Sequence, residues 1–391
     1  MLNTPFQPWP HFSPDEIDAV SAVLKSGRVN YWTGTEGRDF EKEFASWCGV
    51  EHAVALHNGT LALEACWRAL GVGPGDEVIV TPRTFFASAS SIINVGAVPV
   101  FADVDPDSQN ITPETAERVL TPRTCAILCV HLAGWPCEMQ GFKALAAAHK
   151  LFLVEDCAQA HGATYHDRNV GSFGHISAWS FCQDKIMTTG GEGGMVTTDD
   201  RELWSKVWAY KDHGKSWDAV YGRQHPPGFR WLHESIGSNW RMLEMQAAIG
   251  RLQLKEMPSW KKMRAQNATR IFETARSSRA LRVPQIPNHI SHAYYKAYVF
   301  VESQVLKLDW SRDRIIAEIN ARGVPCYQGS CSEIYLEKAF DHAPGRPAER
   351  FPVAKELGET SLMFLVHPTL RDEDIAKTCQ VLRDVMTMAQ R

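Results

Sequence analysis

Short apolar runs alternate with amphipathic stretches along the first 200 residues. Residues 14–26 (PDEIDAVSAVLKS) space their apolar side chains at helical intervals and stop at Gly27. A second helix is expected over 38–48, ending near Gly49. The runs His52–Leu56, Glu77–Thr81, Val98–Phe101, Cys125–Leu132 and Leu151–Glu155 read as short buried strands. Between them, helices are expected after Asn58-Gly59-Thr60 (LALEACWRALG), over Ala87–Val95, after Thr112-Pro113 and over 141–149. Thr112 suits an N-cap, and Pro113 suits the first helical position. This alternation predicts an α/β fold whose mainly parallel sheet is covered by helices on both faces.

Strands over 176–181 and 194–198 flank a glycine-rich turn, and helices are expected over 202–212 and 241–257. Lys215 to Ser238 is a long polar and aromatic stretch, the composition of a lid, binding loop or interface arm. After residue 257 the pattern changes. Helices over 260–278, 311–322, 352–361 and 372–388 and strands over 294–301 and 362–366 suggest a smaller α/β unit. A large domain over 1–257 and a small one over 258–391 are therefore expected.

Composition narrows the classes of function. The 391 residues carry a net charge of -4, with no basic block, so neither nucleic acid nor an anionic membrane is an expected partner. The start, MLNTPFQPWPHFSPDEI, lacks a basic segment followed by an apolar one, and no apolar run is long enough to span a bilayer. The ten cysteines are scattered without a CxxC pair. They read as small core residues of a cytoplasmic protein, and no metal is expected.

The chemistry gathers around Lys185. It lies in Ser180-Phe181-Cys182-Gln183-Asp184-Lys185, ahead of Gly190-Gly191-Glu192-Gly193-Gly194. Upstream, the strand 151–155 runs into Asp156. An amine in a glycine-rich turn and a carboxylate at the end of a buried strand suit an aldehyde cofactor with a pyridine ring. The lysine forms the imine, and the acid faces the ring nitrogen. Asp156 is equally suited to capping the next helix. Gly59 and Thr60 open a helix whose free N–H groups suit a phosphate, and Ser180 offers a hydroxyl to the same group. Phe85, with Phe86 competing, offers a face for the ring. Gln159 follows Asp156 closely enough to reach a phenolic oxygen.

Together with Gly75-Asp76-Glu77-Val78, Thr84-Phe85-Phe86-Ala87-Ser88, Gly96–Phe101 and Asn239-Trp240-Arg241-Met242, these motifs resemble the DegT/DnrJ/EryC1/StrS family of sugar aminotransferases. The resemblance implies fold type I, with a seven-stranded sheet, and pyridoxal 5'-phosphate as cofactor. It implies Lys185 as the Schiff-base lysine and Asp156 as the pyridinium partner, these two being the catalytic pair. It implies Phe85 against the ring, Gly59, Thr60 and Ser180 at the phosphate and Gln159 at the phenolic oxygen. It also implies that Asn239 reaches the phosphate of a neighbouring subunit, so that a homodimer shares its active sites.

The activity so implied is transfer of an amino group from L-glutamate to a nucleotide-linked keto sugar. That sugar would be a 4-keto-6-deoxyhexose or a 4-keto pentose, handled in two half-reactions on the way to a polysaccharide or antibiotic. A free cyclic ketone of cyclitol or aminoshikimate type is the alternative acceptor, and a non-catalytic cofactor-binding regulator is a more distant one. Arg230 and Arg241 are candidate cations for the donor carboxylate. The sequence departs from the family pattern at Cys182, where many members have His, at an extra glycine in 190–194, and at Val324–Cys331, where a His-rich sugar-contacting segment is not evident.

Overall fold

The computed structural model describes residues 6–225, 227, 228 and 230–391. Residues 1–5 of the N-terminal stretch, and Pro226 and Phe229 of the 215–238 segment, lie outside the described residues.

Seven strands form one sheet in the order His52–Leu56, Gly194–Thr198, Ile176–Ser180, Phe152–Asp156, Thr124–Val130, Glu77–Val80 and Val98–Phe101. Gly194–Thr198 runs antiparallel to both its neighbours, and the remaining neighbours pair in parallel. The inner strands are buried on both faces, as their unbroken apolar runs predict. Parallel strands end on one edge of their sheet. The residues following Leu56, Val80, Val130, Asp156 and Ser180 therefore meet along that edge, where α/β sheets bind ligands. A four-stranded antiparallel sheet, Leu281–Arg282, Ala297–Val301, Ser361–Phe364 and Cys326–Tyr327, faces this edge.

The structure corrects the reading of 241–278 as two helices. Glu244–Arg276 is a single helix of 33 residues that passes through Pro258. Proline removes one helical hydrogen bond and ordinarily breaks the run. Here Ala247, Leu254 and Met257 before it and Ala268 and Ile271 after it are all buried, and Pro258 itself faces solvent. Packing on both sides thus outweighs the local cost. The expected division at 257/258 therefore falls inside a continuous helix.

This helix also organises the N-terminal segments. Its Glu244 carboxylate accepts the N–H groups of Glu36 and Gly37 and caps the helix Glu36–Cys48. Its Gln253 donates to Glu16 (2.7 Å) and accepts from the Thr188 N–H (2.8 Å), joining the helix Pro14–Ser26 to the lysine turn. At Gly250 the long helix meets the buried Phe40 so closely that a Cβ would lie 2.6 Å from the ring.

Two expected strands are shorter than their apolar runs. Thr124–Val130 stops before Leu132–Gly134, a turn in which Ala133 takes a left-handed φ of 57°. Residues 294–296 do not join the strand Ala297–Val301, because the Ala293 and Tyr295 N–H groups bond to Gly134 and Ala133 instead.

Substituting Gly250→Val forces two methyls into the Phe40 contact. It is expected to cost about 1–3 kcal/mol of stability, read as a lower thermal midpoint. An unchanged or raised midpoint would show that the two helices are free to separate.

Candidate active site

Between the edge of the large sheet and the small sheet lies a cavity of about 1250 Å³. Seven of the eight cofactor-binding candidates line it: Gly59, Thr60, Phe85, Asp156, Gln159, Ser180 and Lys185. Asn239 does not. It is exposed on the surface, in a bridge to Asp212, and so is not brought into its own chain's cavity.

Successive strand side chains point to opposite faces, which separates the adjacent acids Glu155 and Asp156. Glu155 is sealed among the N–H groups of Gly171, Phe173 and Gly174, the Ser177 hydroxyl and His131 Nε2. The Cys137 N–H donates to His131 Nδ1, so the Nε2 tautomer carries the proton and donates to Glu155. Asp156 faces the cavity, yet is only 5% exposed. Ser88 Oγ donates to it at 2.8 Å and the Ala158 N–H at 3.1 Å, and Thr84 Oγ1 lies 2.9 Å behind Ser88. Among the described residues it has no direct ion-pair partner. Burial raises its pKa above the ordinary carboxylate value, against the pull of Ser88, Ala158 and Lys185. Such a carboxylate is stabilised by a cation brought in by a ligand.

Gln159 is fixed by one contact. Its Oε1 accepts the Ala133 N–H at 2.8 Å, and since only the amide oxygen can accept, its NH2 group remains to be donated. Both phenylalanines line the cavity, but Phe86 is half-buried and packs on Phe340, with ring centres 5.8 Å apart, whereas Phe85 is 67% exposed. That difference separates two neighbours which the sequence left as rivals.

The helix Gly59–Leu70 begins at the cavity, with Asn58 as its N-cap bonded to the Leu61 N–H at 2.9 Å. Gly59 packs directly on Ser180, and a Cβ there would lie 2.6 Å from the Ser180 Cβ. The lysine turn is held from three sides. Trp9 Nε1 donates to the Lys185 carbonyl at 2.8 Å, Gln253 accepts from Thr188, and Thr188 Oγ1 donates to Phe181 O at 2.9 Å. The Lys185 side chain is 13% exposed, 3.8 Å from Asp184 and 5.3 Å from the centre of the Tyr295 ring. Burial would raise the Asp184 carboxyl. The Lys185 ammonium and the Tyr295 hydroxyl, which donates to Asp184, together hold it below its usual value.

Both proposed donor-carboxylate cations fall away from the cavity. Arg241 pairs with the buried Asp212 at 2.7 Å, and Arg230 is exposed. None of the described residues of 215–238 lines the cavity. The sequence reading assigned no role to Ser88, Thr84, Asp184, Trp9, Tyr295 or Lys296. Ser88 and Asp184 sat inside quoted motifs. Tyr295 and Lys296 sat in an apolar run that reads as strand.

A family model described as the DegT/DnrJ/EryC1/StrS aminotransferase family matches residues 10–383. The chain belongs to this family. It is an aminotransferase of fold type I, a class that works with pyridoxal phosphate. It is similar to the spore coat polysaccharide biosynthesis protein SpsC of Bacillus subtilis, with 35% identity over 96% of each chain. It is 36% identical, over 95% of each chain, to the UDP-N-acetyl-3-dehydro-alpha-D-glucosamine 3-aminotransferase of Acidithiobacillus ferrooxidans. The crystal structure of an aminotransferase from Psychrobacter cryohalolentis superposes with a TM-score of 0.97 at 61% identity, covering 98% of this chain and 99% of that one. No helix among the described residues is long and apolar enough to cross a membrane.

The cavity's residues fit pyridoxal phosphate. A buried carboxylate lacks a cation, a helix N-terminus lies where only glycine fits, and an amide has its donors to spare. Removing one donor to Asp156 tests this electrostatics. Ser88→Ala removes a hydrogen bond that favours the carboxylate and should raise the Asp156 pKa further. The carboxylate is the form that would pair with a protonated ring nitrogen, and it is lost as pH falls. The acid limb of cofactor retention, followed by absorbance, should therefore move to higher pH. An unmoved limb would separate Ser88 from the electrostatics of Asp156.

Proposed function

We propose that this enzyme moves an amino group from L-glutamate to the ketone of a nucleotide-linked sugar, most simply a 4-keto-6-deoxyhexose or a 4-keto pentose. The observation that carries the reading is the joint presence, on one cavity wall, of the cation-less Asp156 and the Lys185 amine. Bound pyridoxal phosphate supplies an electron sink that makes the α-proton of an amino acid labile.

The protein's own residues do the rest. Lys185 holds the cofactor through its amine and, when released from it, carries the proton at Nζ as general base and then acid. Asp156 keeps a negative charge against the ring nitrogen throughout. Gln159 donates its NH2 to the phenolic oxygen, and Phe85 covers one face of the ring. The Gly59 and Thr60 N–H groups and the Ser180 hydroxyl take the phosphate. Asn239, turned away from its own cavity, is read as contributing to the phosphate site of a second copy, which makes the working unit a homodimer.

Two considerations favour a sugar nucleotide as acceptor. The cavity is larger than the roughly 300–1,000 Å³ typical of a single small-ligand site. The relatives described above carry names from polysaccharide and UDP-sugar metabolism. A cytoplasmic setting accords with such a substrate.

Incubation with glutamate and a panel of keto-sugar nucleotides, with free cyclitol ketones alongside, should yield an aminated nucleotide sugar by NMR. Amination of the cyclitols alone would replace this reading of the acceptor. Lys185→Ala should retain its fold and lose turnover by several orders of magnitude, and full activity in that variant would remove the lysine from the mechanism.

A further inference from the structure

The sequence left the group that receives the donor's carboxylate unassigned, and Arg230 and Arg241 do not line the cavity. A different cation does. Lys296 lines it beside Lys185, Asp184 and Tyr295. Its backbone is pinned on both sides. The preceding Tyr295 N–H bonds to Ala133 O at 2.9 Å, and Ala297 begins a strand of the small sheet. Among the described residues the Lys296 side chain forms no hydrogen bond or ion pair. Its amine rests 4.6 Å from the centre of the Tyr295 ring.

The Lys185 amine lies 5.3 Å from the same ring centre, so the two amines are no more than about 10 Å apart. Around them the charge is unbalanced. Arg264 is buried against the Tyr295 carbonyl and the Trp9 ring, and among the described residues its Nε and one terminal nitrogen have no hydrogen-bond partner. The carboxylate that acts on this group is Asp184, already shared by Lys185 and the Tyr295 hydroxyl. Burial brings the Lys296 amine down to about 8. Asp184 opposes that fall, and Arg264 and Lys185 add to it. A partly desolvated cation with an open side and too few carboxylates is an anion site.

Resting on the aminotransferase reading, we propose that Lys296 receives the α-carboxylate of the amino donor and so orients its α-carbon toward Lys185. The α-carboxylate is bonded to the carbon whose proton Lys185 moves. Apart from the cofactor phosphate, which is assigned to Gly59, Thr60 and Ser180, the anion closest to the reacting carbon is therefore part of the amino acid. The diphosphate of a sugar nucleotide is separated from the reacting ketone by the sugar ring.

The test uses protein loaded with pyridoxal phosphate and titrated with 2-oxoglutarate, which carries the carboxylates and does not react with this form. Calorimetry should show 2-oxoglutarate binding at least 30-fold weaker in Lys296→Met and partly restored in Lys296→Arg. Cofactor retention and the affinity for the keto-sugar nucleotide should be unchanged. The glutamate concentration for half-maximal spectral response should rise in parallel. Unchanged 2-oxoglutarate affinity in Lys296→Met, or lost sugar-nucleotide affinity with 2-oxoglutarate binding intact, would overturn the assignment. If Lys296→Met does not fold, Lys296→Arg decides: affinity within about tenfold of wild type supports a cation role, and abolished binding contradicts it. Wild-type protein unresponsive to glutamate would defeat the aminotransferase reading itself, whereas a responsive wild type matched by Lys296→Met defeats only the role of Lys296.

Discussion

A buried carboxylate without a cation is costly, and the site is organised around one. Asp156 ends a strand that is hydrogen-bonded on both sides, so its backbone cannot retreat toward water. Its neighbour Glu155 occupies the opposite face, where three backbone N–H groups and His131 hold it. That division of labour locks the strand's orientation, and with it the direction of Asp156. Ser88 and Ala158 soften the cost of burial without removing it. The remaining deficit is one positive charge, which a protonated ring nitrogen would supply. Withdrawing one member of such a pair leaves an uncompensated buried charge, which is strongly unfavourable.

A second constraint is the turn Leu132–Gly134. Ala133, held in a left-handed conformation, gives its N–H to Gln159 and its carbonyl to the Tyr295 N–H. One short turn therefore sets the amide of the large sheet's edge and the segment carrying Tyr295 and Lys296. Gly134 has a φ of 97°, and a Cβ there would meet the Tyr294 nitrogen at 2.9 Å, so the close approach depends on glycine. The two walls of the cavity are tied together at this point, beside the groups that would handle the cofactor and the donor.

Much of this was legible in the sequence, for physical reasons. Parallel strands buried on both faces leave unbroken apolar runs, and helix ends leave caps such as Thr112-Pro113 and Gly27. Residues that bind a cofactor through strand ends and helix starts sit at fixed offsets from those signals. Gly59, Phe85, Asp156, Gln159, Ser180 and Lys185, all at or near such positions, line one cavity. The errors arose where tertiary packing outweighed local preference. Pro258 reads as a break and lies inside a helix, because apolar residues on either side are buried. Tyr294–Lys296 reads as strand and is drawn away by the Ala133 turn, 160 residues earlier in the chain. A pairing at such separation leaves no periodic trace, and so Lys296 went unremarked. Asn239 marks the other limit: its motif is legible in the sequence, but it lies exposed on the surface and outside its own chain's cavity.

The central claim is that Asp156 holds a protonated pyridine nitrogen. It is tested most directly by nitrogen NMR of the protein loaded with pyridoxal phosphate labelled at the ring nitrogen with ¹⁵N. The account predicts the chemical shift of a protonated nitrogen at neutral pH, persisting well above the pH at which the free cofactor loses that proton, and lost in Asp156→Asn. An unprotonated nitrogen in the wild-type protein would contradict it.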